Sequence, residues 1–169
     1  MGALTRGRAG WLVAALLCFA APVFADAGAT SNAAKAPAAK PRPDVSGLAR
    51  IGTASFYALR FAGRTMADGT PMDPHGANAA SRTLPLGTVA RVTNLGTGQS
   101  AVITIRDRGP YVNGRIVDLS PATAREIGLT ERQGLAKVEV APIVVPMPDG
   151  GIKLGAAAHR GAQTLASAQ

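Results

Sequence analysis

The sequence predicts a mostly β domain, a small barrel or sandwich, and three observations carry that prediction. Short apolar stretches with period-two alternation recur between residues 50 and 143, Gly and Pro repeatedly interrupt them, and a single segment carries helix signals. With 169 residues there is room for one domain plus flexible sequence.

The chain opens on a basic segment with Arg6 and Arg8, an apolar run from Trp11 to Ala21, and the small-residue ending Val23-Phe24-Ala25 before Asp26. That three-part pattern is a cleavable secretory signal over residues 1–25, and the run is shorter than the ~20 apolar residues of a membrane span. Cys18, the one cysteine, follows Leu16 and Leu17, a poor setting for lipid attachment, so it is read as a hydrophobe that leaves with the signal. The mature chain then has neither disulfide nor thiolate. Loss of Arg6 and Arg8 lowers the net charge from +8 to +6. A basic exported protein suits anionic envelope polymers. Neither a recognition-helix pattern nor an RNP-type aromatic motif supports nucleic acid as a partner.

Residues 26–47 are rich in Ala, Pro and Lys and read as a linker that cannot bury enough apolar surface to fold. Residues 48–143 hold the domain. Within it, Ile51 to Tyr57 predicts a strand, and Val89–Thr93 and Ala101–Ile105 predict two more around a hairpin loop at Asn94–Gly98. Arg115–Asp118 predicts a fourth. Ser120 as cap, Pro121 at the first helical position and Gly128 beyond the end predict the helix. A final strand places Ala136, Val138 and Val140 on one face, with Lys137 and Glu139 on the other. Residues 144–169 show no sustained period and are expected to be a disordered tail.

Five ordered stretches are similar to the rare lipoprotein A family: Gly52 to Tyr57, Thr83 to Thr88, Val92 to Leu95, Asp107 to Tyr111, and Gly114 to Ser120. The resemblance implies a six-stranded double-psi β-barrel with one or two short helices. It further implies a periplasmic or secreted, septal-ring endolytic transglycosylase that cuts peptidoglycan glycan strands between N-acetylmuramic acid and N-acetylglucosamine, leaving 1,6-anhydromuramyl ends. Glycan strands would be the partner, with divisome or other envelope proteins as further candidates and no cofactor. Thr70 and Ser81 stand where the family usually shows Glu and often His. The rival reading is therefore a catalytically silent, expansin-like glycan-binding module.

The resemblance links Asp107 and Asp73 to catalysis, and one carboxyl can suffice for a transglycosylase because no separate water is activated. Alternation puts Asp107 on the face of Ile103 and Ile105, with Arg106 pointing away. The alternative is an Asx-type turn residue before Arg108-Gly109-Pro110. Asp73 and His75 likewise read either as site residues or as solvated members of a Pro-rich loop. Tyr111, Arg108 and Ser81 are candidate substrate contacts, while Tyr57 and Phe61 read as core. Asp118, two residues before Ser120, is assigned to ordering the strand-to-helix junction. His75 is the domain's one imidazole, and the residues suggest no metal site.

Overall fold

A computed structural model describes residues 42–166, so the signal segment and most of the linker lie outside the described residues. The elements are β1 (Arg50–Phe56), β2 (Asn78–Ala80), β3 (Val89–Asn94), β4 (Ser100–Asp107), β5 (Arg115–Leu119), α1 (Pro121–Glu126), β6 (Ala136–Pro146), β7 (Ile152–Leu154) and α2 (Ala156–Ala166), with one 3-10 turn at Leu59–Phe61.

The strand order is β1-β5-β2-β4-β3-β6, and β1 pairs again with β6, which closes a six-stranded barrel; β7 adds to the outside of β6. Two pairings are parallel, β1 with β5 and β2 with β4. The others are antiparallel. Closure leaves no open edge within the six strands. This is the double-psi β-barrel implied by the resemblance.

Alternating apolar residues fill the barrel. Ile103, Ile105, Val92, Val117, Leu119 and Val138 are buried to 1% exposure or less, and Ala54, Ala79 and Ala90 supply the small volumes a narrow closed barrel needs. The hairpin forms as expected: Gly98 takes φ +73°, and its N–H donates to the Asn94 carbonyl at 2.8 Å. Ser120 caps α1 by accepting from the Thr123 N–H at 3.2 Å, with Pro121 at the helix start and Gly128 at φ +71° after its end. On β6 the expected faces hold, with Val138 and Val140 buried and Lys137 exposed.

Both flanks differ from expectation. β6 runs on to Pro146, and the stretch read as a disordered tail carries β7 and α2. The chain before β1 is also tied down. Asp44 N–H donates to the Thr83 carbonyl at 2.7 Å, and the buried Gly47 accepts from Ala156 N–H at 2.9 Å. Individual contacts hold these segments rather than a hydrophobic period, so no pattern announced them. Val145 and Ala157 are buried. Gly155 sits so close to β6 that a Cβ there would collide with the Pro142 carbonyl. Among the described residues no helix is long and apolar enough to cross a membrane.

The C-terminal strap packs on the barrel through β6 and the segment before β1. Gly155→Ala should destabilise the protein by about 1–3 kcal/mol through overpacking, and a chain ending at Pro146 should melt well below the full chain in thermal unfolding. Unchanged melting in both would show that the strap contributes nothing.

Candidate active site

Asp107 closes β4, and the way β4 reaches it decides which face it occupies. Across the β2–β4 ladder Ala79 pairs with Ile105, but Ala80 pairs with Asp107, with an irregularity between them. One extra residue, Arg106, is accommodated there as a bulge, and a bulge reverses the face of the residues beyond it. Asp107 consequently leaves the face of Ile103 and Ile105, where simple alternation had put it, and joins the face of Ala80. On the other side of β2, Ala80 pairs with Asp118, and across β5 Asp118 pairs with Ser55 of β1. Directly paired residues share a face. Four strands thus present one row, Ser55, Asp118, Ala80 and Asp107, on the side away from the core.

The carboxylate of Asp107 accepts three hydrogen bonds. Its Oδ2 accepts from the Tyr57 hydroxyl at 2.8 Å, and its Oδ1 accepts from the backbone N–H of Ala67 at 3.0 Å and of Arg108 at 2.8 Å. The Arg108 bond is the local turn expected of an Asp before Gly-Pro. The other two come from distant parts of the chain and meet at this oxygen pair. Tyr57, expected in the core, instead aims its hydroxyl at Asp107. Burial pushes its ionisation well above the ordinary tyrosine range, and the hydrogen bond to Asp107 and the charges of Asp107 and Asp118 push it further. It stays a donor at any physiological pH.

Asp118 does more than order the helix junction. It accepts a hydrogen bond from the Ser55 hydroxyl, and Arg115 donates to the same Ser55 oxygen at 3.3 Å. Burial raises its pKa above the ordinary value of 3.8; the Ser55 bond and Arg115 oppose the rise, and the charge of Asp107 adds to it. Small residues keep it approachable, for a Cβ on Gly109 would stand 3.7 Å from Asp118 Oδ2 and 3.8 Å from the Ala80 methyl. Gly109 adopts φ +143°, which disfavours a side chain there.

A short loop folds over the end of β4 and builds one wall. Gly63 N–H donates to the Met72 carbonyl at 2.8 Å, Met72 N–H returns to the Arg64 carbonyl at 2.8 Å, and Met66 N–H donates to Thr70 at 2.8 Å. Asp68 pairs with Arg106 at 3.3 Å, which ties the loop to the bulge residue. Tyr57, Phe61, Arg64, Thr65, Met66, Met72 and Asp107 line the resulting hollow of about 220 Å³.

The remaining sequence candidates fall elsewhere. Asp73 is exposed and makes an Asx turn, its Oδ1 accepting from His75 N–H at 2.8 Å. It lines a neighbouring hollow with Thr70, Asn78, Thr104 and Arg106, so Asp118 rather than Asp73 is the carboxylate aligned with Asp107. Ser81 is only 2% exposed, and its hydroxyl accepts from Leu84 N–H at 3.2 Å. It shapes a turn. Arg108 donates from one guanidinium nitrogen to the carbonyls of Ser81 at 3.1 Å and Leu84 at 2.6 Å, which ties that nitrogen to the same turn. Tyr111 is 77% exposed, beside Gly109. Short local motifs could not reveal Asp118 as a neighbour of Asp107. The one signal was its place in a strand of the same barrel.

A family model described as lytic transglycolase matches residues 49–140. The chain is 36% identical over 144 residues to the endolytic peptidoglycan transglycosylase RlpA of Pseudomonas aeruginosa, covering 76% of this chain and 42% of that protein. It is 50% identical over 86 residues to the protein of the same name from Pasteurella multocida, covering 51% and 29%. The chain thus spans less than half the length of these relatives. Among solved structures it is similar to the Streptomyces papain inhibitor, at 21% identity and TM-score 0.42 over 55% of this chain and 92% of that one. It is also similar to an expansin from Clavibacter michiganensis, at 20% identity and TM-score 0.43 over 56% and 50%.

The raised pKa of Asp118 has a signed consequence for stability. A folded-state pKa above the unfolded value gives stability that is present at low pH and is lost as pH rises from the ordinary value of 3.8 through the raised folded value. Asp118→Asn keeps an oxygen for Ser55 but cannot ionise. Its unfolding free energy relative to the wild type should therefore rise as pH increases through that window and level off above it. Denaturant titrations at several pH values check this, and a difference independent of pH would contradict it.

Proposed function

The chain belongs to the lytic transglycolase family, and from that premise we propose that it cleaves peptidoglycan glycan strands between N-acetylmuramic acid and N-acetylglucosamine, leaving 1,6-anhydromuramyl ends. The observation that carries the reading is a carboxylate at a strand end, Asp107, lining an open hollow and aligned across one alanine with a second carboxylate of raised pKa. The work is extracytoplasmic, reached through the signal segment at residues 1–25.

In this reading Asp107 is the group that meets the scissile linkage. A proton passes from the site carboxyl to the leaving glycosidic oxygen as the bond to C1 breaks. The carboxylate then takes the proton from the 6-hydroxyl of the muramyl residue as that oxygen closes on C1. Nothing is consumed, no water enters, and the carboxyl ends as it began. Asp118 acts as a positioning residue. Burial raises its pKa, and two adjacent carboxylates disfavour double ionisation of the site. Tyr57 and Ala67 N–H fix the Asp107 carboxylate, and fixed geometry is worth more here than added groups. The exposed ring of Tyr111, beside Gly109, offers an apolar face to a sugar ring.

Asp107→Asn should leave the fold and glycan sedimentation in place while lowering anhydromuropeptide release by about 10²–10⁴-fold. Tyr57→Phe should lower it less, since the remaining donors still hold the carboxylate. Equal cleavage by Asp107→Asn and wild type would reject the mechanism. Binding without cleavage by either would favour the silent expansin-like module, with Thr70 and Ser81 marking where the usual Glu and His are missing.

A further inference from the structure

Two cations share one aromatic ring, that of Phe61, which lines the Asp107 hollow. The guanidinium carbon of Arg60 lies 5.0 Å from the centre of the Phe61 ring, and that of Arg64 lies 5.4 Å from it. Phe61 in turn meets Tyr57 edge-on, with ring centres 6.0 Å apart at 65°, and Tyr57 holds Asp107. The three ion pairs found among the described residues involve Arg50, Arg106 and Arg160. Arg60 and Arg64 have no acidic partner there. Asp107, the carboxylate on the wall of the hollow, already accepts three hydrogen bonds from other donors.

Two like charges gathered on one ring repel each other, and stacking on an aromatic face offsets only part of that. A contact with the ring face does not use up the guanidinium N–H donors, and a guanidinium can bind a carboxylate bidentately. Arg64 is the better placed of the two. Arg64 lines the hollow, and its backbone is pinned on both sides, by Arg64 N–H to Phe61 O at 3.0 Å and Met72 N–H to Arg64 O at 2.8 Å.

We propose that Arg64, supported by Arg60, recognises a carboxylate of the glycan next to the bond at Asp107. This makes Arg64 a specificity-determining residue, and it rests on the glycan reading of the hollow. The shared chemistry is a carboxylate held on or beside the muramyl residue. It has two sources, the lactyl ether group of a peptide-free strand and the acidic residues of an attached stem peptide.

The test measures binding by the full chain and does not require cleavage. The probes are peptide-free glycan strands, peptide-bearing strands, and peptide-free strands whose carboxylates have been converted to neutral amides. Arg64→Gln should weaken binding of a native strand about tenfold, a change typical of one charge-assisted contact at a half-open site. Arg64→Lys should recover part of it, and Arg91→Gln, on the exposed side of β3, should change little. Amidated strands should bind wild type and Arg64→Gln alike. A loss confined to one native strand supports the proposal and identifies the source of the carboxylate. Equal losses in Arg64→Gln and Arg91→Gln, or equal wild-type binding of native and amidated strands, would overturn it. Carboxylate-selective binding that disappears in Arg64→Gln, with no cleavage by the wild type, would uphold recognition while rejecting the transglycosylase reading.

Discussion

The bulge that places Arg106 opposite no partner residue decides what this barrel can do, because it turns the end of β4 inside out. Without it, Asp107 would continue the row of Ile103 and Ile105 into the apolar interior, an environment that an unpaired carboxylate enters at high cost. With it, Ala79 keeps its partner Ile105 in the core while Ala80 faces Asp107. The fold then gathers Ser55, Asp118 and Asp107 around the smallest side chain available. A larger residue at Ala80 or Gly109 would fill the gap that lets Asp118 be approached. The bulge residue is itself held in place, since Asp68 pairs with Arg106 at 3.3 Å and donates its N–H to the Arg106 carbonyl at 3.0 Å.

Electrostatics depend on that placement. Asp107 accepts from a hydroxyl and two amides, Tyr57 is held in its neutral form, and Asp118 is biased toward its protonated form by burial and by its charged neighbour. The loop from Gly63 to Met72 supplies one amide and one wall, and it also brings Arg64 to the rim. Closed barrels commonly use their loops in this way, with rigid strands holding the carboxyls and the loop adapting to the ligand.

Much of this was legible in the residues. Asn94 to Gly98 read as a hairpin, Ser120-Pro121 as a helix start and the β6 alternation as a half-buried strand, and in each case local chemistry and tertiary structure agree. The strand at Asn78–Ala80 was not legible. Its three residues have weak β preference, and pairing with β4 and β5 imposes their conformation. The strap at β7 and α2 was hidden because its attachments are backbone bonds and the close approach of Gly155. For the site, Asp107 was reachable from its motif, but its face was not, since a one-residue bulge leaves no mark on period-two alternation. Asp118 was hidden for a related reason. Its helix-capping neighbour explained it locally, and only the β1–β5–β2–β4 order brings it beside Asp107.

That Asp107 and Asp118 act as one electrostatic unit across Ala80 is tested most directly by carbon-13 NMR titration of the aspartate carboxyl groups, in the wild type and in Asp107→Asn. Asp118 should titrate above the ordinary aspartate value in the wild type, and its midpoint should fall when the charge at position 107 is removed, because that charge contributes to the rise. An Asp118 midpoint that does not move on the substitution would show that the two carboxyls are independent, and a paired site would be contradicted.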